Sequence, residues 1–295
     1  LIETLNVFTK SGTALKGTIF KAKRATTVLI AITGVHGNFY SNPFYVNIGK
    51  TLMKAGIDFI YAQTRDACSQ VSSVNQLTGE AELVGSWSEN FDDADGDIDA
   101  YLEYTEQYHY QHVILGGHSL GANKVIHYLA HHVATRVDNF LLLSPANIKR
   151  LTDTVSDNEK QYVKSLVESG QDEQLLPFQL FGWLPCTAGT AYQWIYSKTL
   201  DNVHSDENAD FTQVEHVKHN GALLIGTMDS FTYGDPSQYL KTINKHFQNK
   251  DRNELIFVRG TGHTYQDKEQ ELADIILKLL KKWGGNDNAL YYGQG

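Results

Sequence analysis

Gly117-His118-Ser119-Leu120-Gly121 is a Gly-x-Ser-x-Gly pentapeptide, and it is the strongest chemical signal in this chain of 295 residues. A serine hydroxyl is a weak nucleophile alone and becomes reactive when a neighbouring base takes its proton as it attacks. The pentapeptide alone could be a glycine-rich turn in which Ser119 caps a helix, a common inert use of serine. Its flanks argue for more, because residues 112–116 read as a strand and residues 119–131 as a helix. A serine on a sharp strand-to-helix turn has its Oγ exposed at the carboxyl end of the strand. The helix behind it aims amide N–H groups and a positive dipole end at the site, which favours a developing oxyanion.

His263 is the base candidate among 12 histidines. It follows a strand expected at Glu254–Val258, and Gly260 and Gly262 make a loop able to return an imidazole over Ser119. A base there takes the serine proton during attack and gives it to the leaving group. His118 adjoins the nucleophile, but an elbow points its side chain away from Ser119, so it is read as orienting the turn. The acid must hold the second imidazole nitrogen and stabilise its positive charge. Asp229 lies just past the strand expected at 222–226, and Asp235 could substitute if the loop folds back.

These side chains need elements to hold them. Residues 4–10 and 14–22 read as a hairpin around Ser11-Gly12-Thr13. Residues 27–33 (TVLIAIT) form an almost continuous apolar and β-branched run, which suits a strand buried on both faces of a parallel sheet. A helix at 43–55 closed by Gly56, a strand at 57–63, a helix at 97–107 and a strand at 137–143 follow the same alternation. It resumes with helices at 236–247 and 267–283 around the strand at Glu254–Val258. The expectation is an α/β fold, a mostly parallel central sheet flanked by helices.

One segment, 148–219, breaks the rhythm with helical pieces and then aromatics, and it is read as an insertion into a single domain 1–295 with core 1–147 and 220–284. The tail after Trp283 is rich in Gly and Asn and is expected to be loosely held.

The chain resembles the α/β-hydrolase superfamily from residue 27 to about Trp283. The resemblance rests on Gly34-Val35-His36-Gly37-Asn38, Gly117–Gly121, Gly226-Thr227-Met228-Asp229 and Gly260-Thr261-Gly262-His263, and on the chain order Ser, Asp, His. The insertion and last third are similar to a branch that includes siderophore-type esterases. The resemblance implies a lid at 148–219, Asp229 as the acid close behind its strand, and backbone oxyanion donors at Leu120 and at Asn38, with Gly37 as the alternative. It implies a serine esterase-type enzyme working through an acyl-enzyme. Thioesterase, acyltransferase, amidase and lactonase chemistry would use the same triad, and a hydrolase-fold binding protein without catalysis is the reading from another class.

His36, Phe39, Trp183 and Tyr192 are candidates for the substrate pocket. Of the aromatics in the insertion (Phe178, Phe181, Trp183, Tyr192, Trp194, Tyr196), most are expected to pack it onto the core. The run Asp92-Asp93-Ala94-Asp95-Gly96-Asp97-Ile98-Asp99 fails as an EF-hand, because a loop with Gly96 at its sixth position would begin at Phe91 and end at Leu102, neither a ligand. It reads as an acidic helix start. No H-E-x-x-H or G-x-G-x-x-G occurs, so no metal and no cofactor are expected.

A formal net charge of −9 disfavours nucleic acid as a partner, and no apolar run reaches membrane-spanning length; the small-molecule acyl substrate is what the resemblance implies. The start lacks signal-peptide features, although Leu1 in place of Met points to a missing or processed piece. The two cysteines, Cys68 and Cys186, suit a cytoplasmic location.

Overall fold

The computed structural model describes residues 1–133 and 135–284, so the tail expected to be loosely held lies, from residue 285 on, outside the described residues. Strands β1 (Ile2–Phe8) and β2 (Ala14–Phe20) form the expected antiparallel hairpin, and β2 pairs antiparallel with β4 (Asp58–Ala62). From there the sheet is parallel. Its order is β1-β2-β4-β3-β7-β8-β9-β10, with β3 (Thr27–Ile32), β7 (His112–His118), β8 (Asn139–Leu143), β9 (Asn220–Gly226) and β10 (Glu254–Val258). β3 and β4 are buried at every residue, which is why their sequences are continuous apolar runs rather than alternating ones.

Helices cover both faces, each through one apolar stripe. On one face α1 (Phe44–Lys54) and α9 (Glu269–Lys282) bury Phe44, Ile48 and Leu52, and Leu272, Ile276 and Leu280, at the four-residue spacing of a single helix side. On the other, α2 (Ala94–Glu106) and α3 (Leu120–His131) contribute Ile98, Tyr101, Val125 and Leu129. They are joined by α7 (Thr212–His216) and α8 (Pro236–His246), which bring Val214, Leu240 and Ile243. The acidic run opens α2 as expected, but Asp97 turns inward, where its carboxylate meets the Arg65 guanidinium at 2.8 Å.

Segment 148–219 lies between β8 and β9 and carries α4 (Ile148–Thr152), α5 (Asp157–Glu168) and α6 (Ala188–Tyr196) as well as α7. Ser156 and Glu159 form a reciprocal capping box at the start of α5. Leu151, Val163, Leu184 and Trp194 build a third apolar cluster that also takes in Phe91 and Leu120 of the core. The sequence reading did not single out α6, nor two further strands. β5 (Val71–Val74) and β6 (Ala81–Val84) make a separate antiparallel hairpin whose residues are mostly exposed, so neither strand carries an apolar alternation.

Candidate active site

β7 ends at His118 and α3 begins at Leu120, so Ser119 alone makes the turn between them, with φ 55° and ψ −127°. Two glycines permit it. A Cβ on Gly117 would lie 2.3 Å from the Gly121 carbonyl, and a Cβ on Gly121 would lie 2.3 Å from that of Ile32. Leu120 starts the helix, and the first N–H groups of a helix have no intrahelical acceptor.

Asp229 and His263 come from loops at the ends of neighbouring strands, β9 and β10. The Met228 N–H donates to Thr261 O at 2.9 Å and the Gly260 N–H to Thr227 Oγ1 at 3.1 Å, which stitches the loops together. Gly226 lets them close: a Cβ there would meet Thr261 O at 2.4 Å. Asp229 Oδ2 lies 2.9 Å from His263 Nδ1, and Asp229 Oδ1 accepts the Phe231 N–H at 3.0 Å. Burial alone would raise the Asp229 carboxyl, but the hydrogen bond and charge of His263, with help from the Phe231 amide and Ser144, hold it below the usual aspartate value. Asp235 sits elsewhere and caps α8 by accepting the Gln238 N–H. Ser119, Leu120 and His263 line one cavity of about 230 Å³.

The family described as "Protein of unknown function (DUF1749)" matches residues 16–277. The chain belongs to the DUF1749 family. No curated protein matches the DUF1749 chain by sequence. Among solved structures it is similar to the α/β hydrolase GrgF from Penicillium sp. sh18, with TM-score 0.70, 15% identity, and 96% of this chain and 98% of that one covered. It is also similar to Est1E from Butyrivibrio proteoclasticus with ferulic acid bound, at TM-score 0.64 and 14% identity over 94% and 99% of the chains. The esterase PF2001 of Pyrococcus furiosus follows at TM-score 0.57 and 14% identity, over 97% and 92%. At such identities the likeness speaks for the fold, and the DUF1749 protein has the α/β-hydrolase fold.

The loop after β3 in the DUF1749 protein differs from expectation. The Asn38 N–H donates to Ser41 Oγ at 2.9 Å and the Gly37 N–H to Gly34 O at 2.9 Å, so both are occupied by the turn itself. Gly34 and Val35 face the cavity instead. A Cβ on Gly34 would lie 3.0 Å from that of Ser119, so only glycine lets the loop come this close to the elbow. Among the described residues the Val35 N–H has no intramolecular acceptor.

Of the expected pocket residues, Trp183 lines the cavity. His36 stands behind it, its ring edge-on to Trp183 at 6.1 Å and its Nδ1 2.7 Å from Ser86 Oγ. Phe39 packs edge-on against Tyr61 at 5.2 Å, and Tyr192 lies tilted against Tyr196 at 4.7 Å, both away from the cavity lining. The wall also includes His118, Trp194, and Leu151 and Phe231, the last two of which no local motif singles out. Behind the elbow, buried Lys124 of α3 lies 3.0 Å from Asp66 Oδ2 and 2.7 Å from Glu89 Oε1, both buried as well. Among the described residues no group of three His, Cys, Asp or Glu side chains could hold a metal ion.

Proposed function

We propose that this DUF1749 protein is a serine hydrolase acting on an ester or related acyl substrate, with Ser119, His263 and Asp229 as its triad. The observation that carries the reading is the 2.9 Å contact between His263 Nδ1 and Asp229, made where His263 and the strained Ser119 share one cavity. An ionised Asp229 accepts the Nδ1–H and leaves Nε2 bare, the tautomer a general base requires. Nε2 takes the Oγ proton as Ser119 attacks the acyl carbon. The N–H groups of Leu120 and Val35 stabilise the oxyanion, His263 returns the proton to the leaving group, and water then releases the acid by the same steps. The esterase names of the structural neighbours support the class of reaction.

Segment 148–219 acts as a lid, since it contributes Leu151, Trp183 and Trp194 to the cavity wall. A fluorophosphonate probe should label Ser119 of the wild type, and Ser119→Ala should abolish labelling and lower ester turnover by roughly 10⁴-fold or more with folding intact. Turnover within about tenfold of wild type would overturn the assignment. Rates across matched ester, thioester, amide and lactone panels, with and without an alcohol acceptor, identify the bond and the acceptor.

A further inference from the structure

His118 is the last residue of β7, next to Ser119, and it belongs to the cavity lining. It reaches the main chain of His263. His118 Nε2 lies 2.7 Å from the backbone carbonyl oxygen of His263, across 145 residues of sequence, and the two imidazole rings are 4.8 Å apart. A carbonyl oxygen only accepts, so Nε2 carries the proton and Nδ1 is bare. Nδ1 has no hydrogen-bond partner among the described residues, and the ring is enclosed by Phe44 at 5.0 Å and Tyr265 at 6.2 Å. Burial first, then the neighbouring His263, lowers the His118 pKa to about 3, which keeps the ring neutral through the working pH range. The hydrogen bond is therefore present whether His263 is charged or not.

We infer that His118 is a positioning residue that sets the height of the His263 backbone relative to Ser119 during the proposed reaction, on which this inference rests. His263 has two tethers with different tasks. Asp229 orients the imidazole through Nδ1, and His118 holds the main chain through the carbonyl. The second tether starts from a sheet strand, at the residue next to the nucleophile, so the base is located from the same rigid point as the group it deprotonates. Without it the base loop is held by contacts to the acid loop and its own turns, among them Met228 N–H to Thr261 O and Thr261 Oγ1 to Gln266 O. The Tyr265 hydroxyl adds ties to Leu224 O at 3.1 Å and to Ser144 Oγ at 3.0 Å, but these act two residues beyond His263, whereas His118 holds the His263 carbonyl itself. A displacement of about 1 Å at a reacting pair costs on the order of 10²-fold in rate.

The test compares two variants of the full chain. His118→Phe keeps a flat ring in the aromatic enclosure and deletes the donor. His118→Gln places an amide N–H near the position of Nε2. Expected for His118→Phe is a kcat lower by about 10- to 100-fold, with KM within about twofold. Its fluorophosphonate labelling of Ser119 slows to match, and its Tm lies within a few degrees of wild type. His118→Gln should recover most of both rates. A His118→Phe enzyme with wild-type kcat and labelling rate overturns the inference. So does an equal loss in both variants, or a loss that follows the fall in Tm, since either would mean packing alone. If the wild type itself is not labelled at Ser119, the proposed triad fails first, and that outcome is distinct from labelling that proceeds equally fast in wild type and His118→Phe.

Discussion

Ser119 holds a backbone conformation that costs on the order of 1–3 kcal/mol for a residue with a Cβ, and the glycines on both sides show what the surrounding chain gives up to keep it. That arrangement is local, so the pentapeptide and its flanking strand and helix were enough to read it. The proposed acid was less legible, because Asp229 and Asp235 both follow β9 and only loop geometry separates them. Asp229→Asn should lower kcat by about 10³- to 10⁴-fold, while Asp235→Asn should cost no more than the weakened cap of α8, about 1 kcal/mol. Steady-state kinetics and thermal unfolding of the two variants check this, and equal kinetic losses would contradict it. Of the two proposed oxyanion donors, Leu120 follows from the pentapeptide but Val35 does not, since Asn38 and Val35 differ only in whether the turn already occupies their N–H groups. Proline at Val35 removes one N–H, and kcat should fall by roughly 10²- to 10³-fold with Ser119 still labelled, more slowly, by the fluorophosphonate.

At the scale of elements, the parallel strands were legible because burial on both faces forces apolar, β-branched sequences, as in β3 and β4. The β5–β6 hairpin was not, because its residues are exposed or only half-buried and it is tied to the β1–β2 turn by polar contacts such as Thr13 Oγ1 to Glu82 Oε1, which leave no apolar pattern. The insertion was visible as a break in rhythm, but its aromatics divide by contact rather than by sequence. Trp183 is 39% exposed at the cavity, whereas Trp194 is 3% exposed and stacks edge-on against Phe91 and Phe181. The two should therefore respond differently to alanine. Trp194→Ala should cost about 3–5 kcal/mol of stability, as large buried aromatics do. Trp183→Ala should cost about 1 kcal/mol or less and should instead change the ratio of kcat/KM between short and long acyl esters. Denaturant unfolding and an ester series read both, and an unchanged chain-length preference in Trp183→Ala would remove it from the substrate wall.

The whole molecule is tied together behind the nucleophile by the buried group Lys124, Asp66 and Glu89, from α3, the loop after β4 and the segment before α2. Glu89 also accepts the Thr190 hydroxyl of α6 on its carbonyl, so the same short segment joins the elbow helix to the insertion. Burial, then the Asp66 charge, lifts the Glu89 carboxyl to about 8, from an ordinary value of 4.5. The folded chain thus holds a proton that the unfolded chain has released. The stability this contributes is fully present below about pH 4.5 and is lost as pH rises toward and through about 8. Glu89→Gln, which cannot ionise, should flatten that part of the stability-against-pH curve, and a curve parallel to wild type would show that Glu89 does not titrate there. The alternation of apolar runs, the Gly-x-Ser-x-Gly turn and the order Ser, Asp, His were determined by sequence alone, because each reflects a constraint on neighbouring residues: a strand's burial, a turn's φ, a loop's place after its strand. Tertiary structure alone decided that, among the described residues, the Asn38 N–H has an acceptor and the Val35 N–H has none, that Lys124 meets carboxyl groups from two other segments, and that His118 reaches His263. Those are pairings between distant segments, and whether a buried polar group is satisfied depends on every element packed around it rather than on its own stretch of chain.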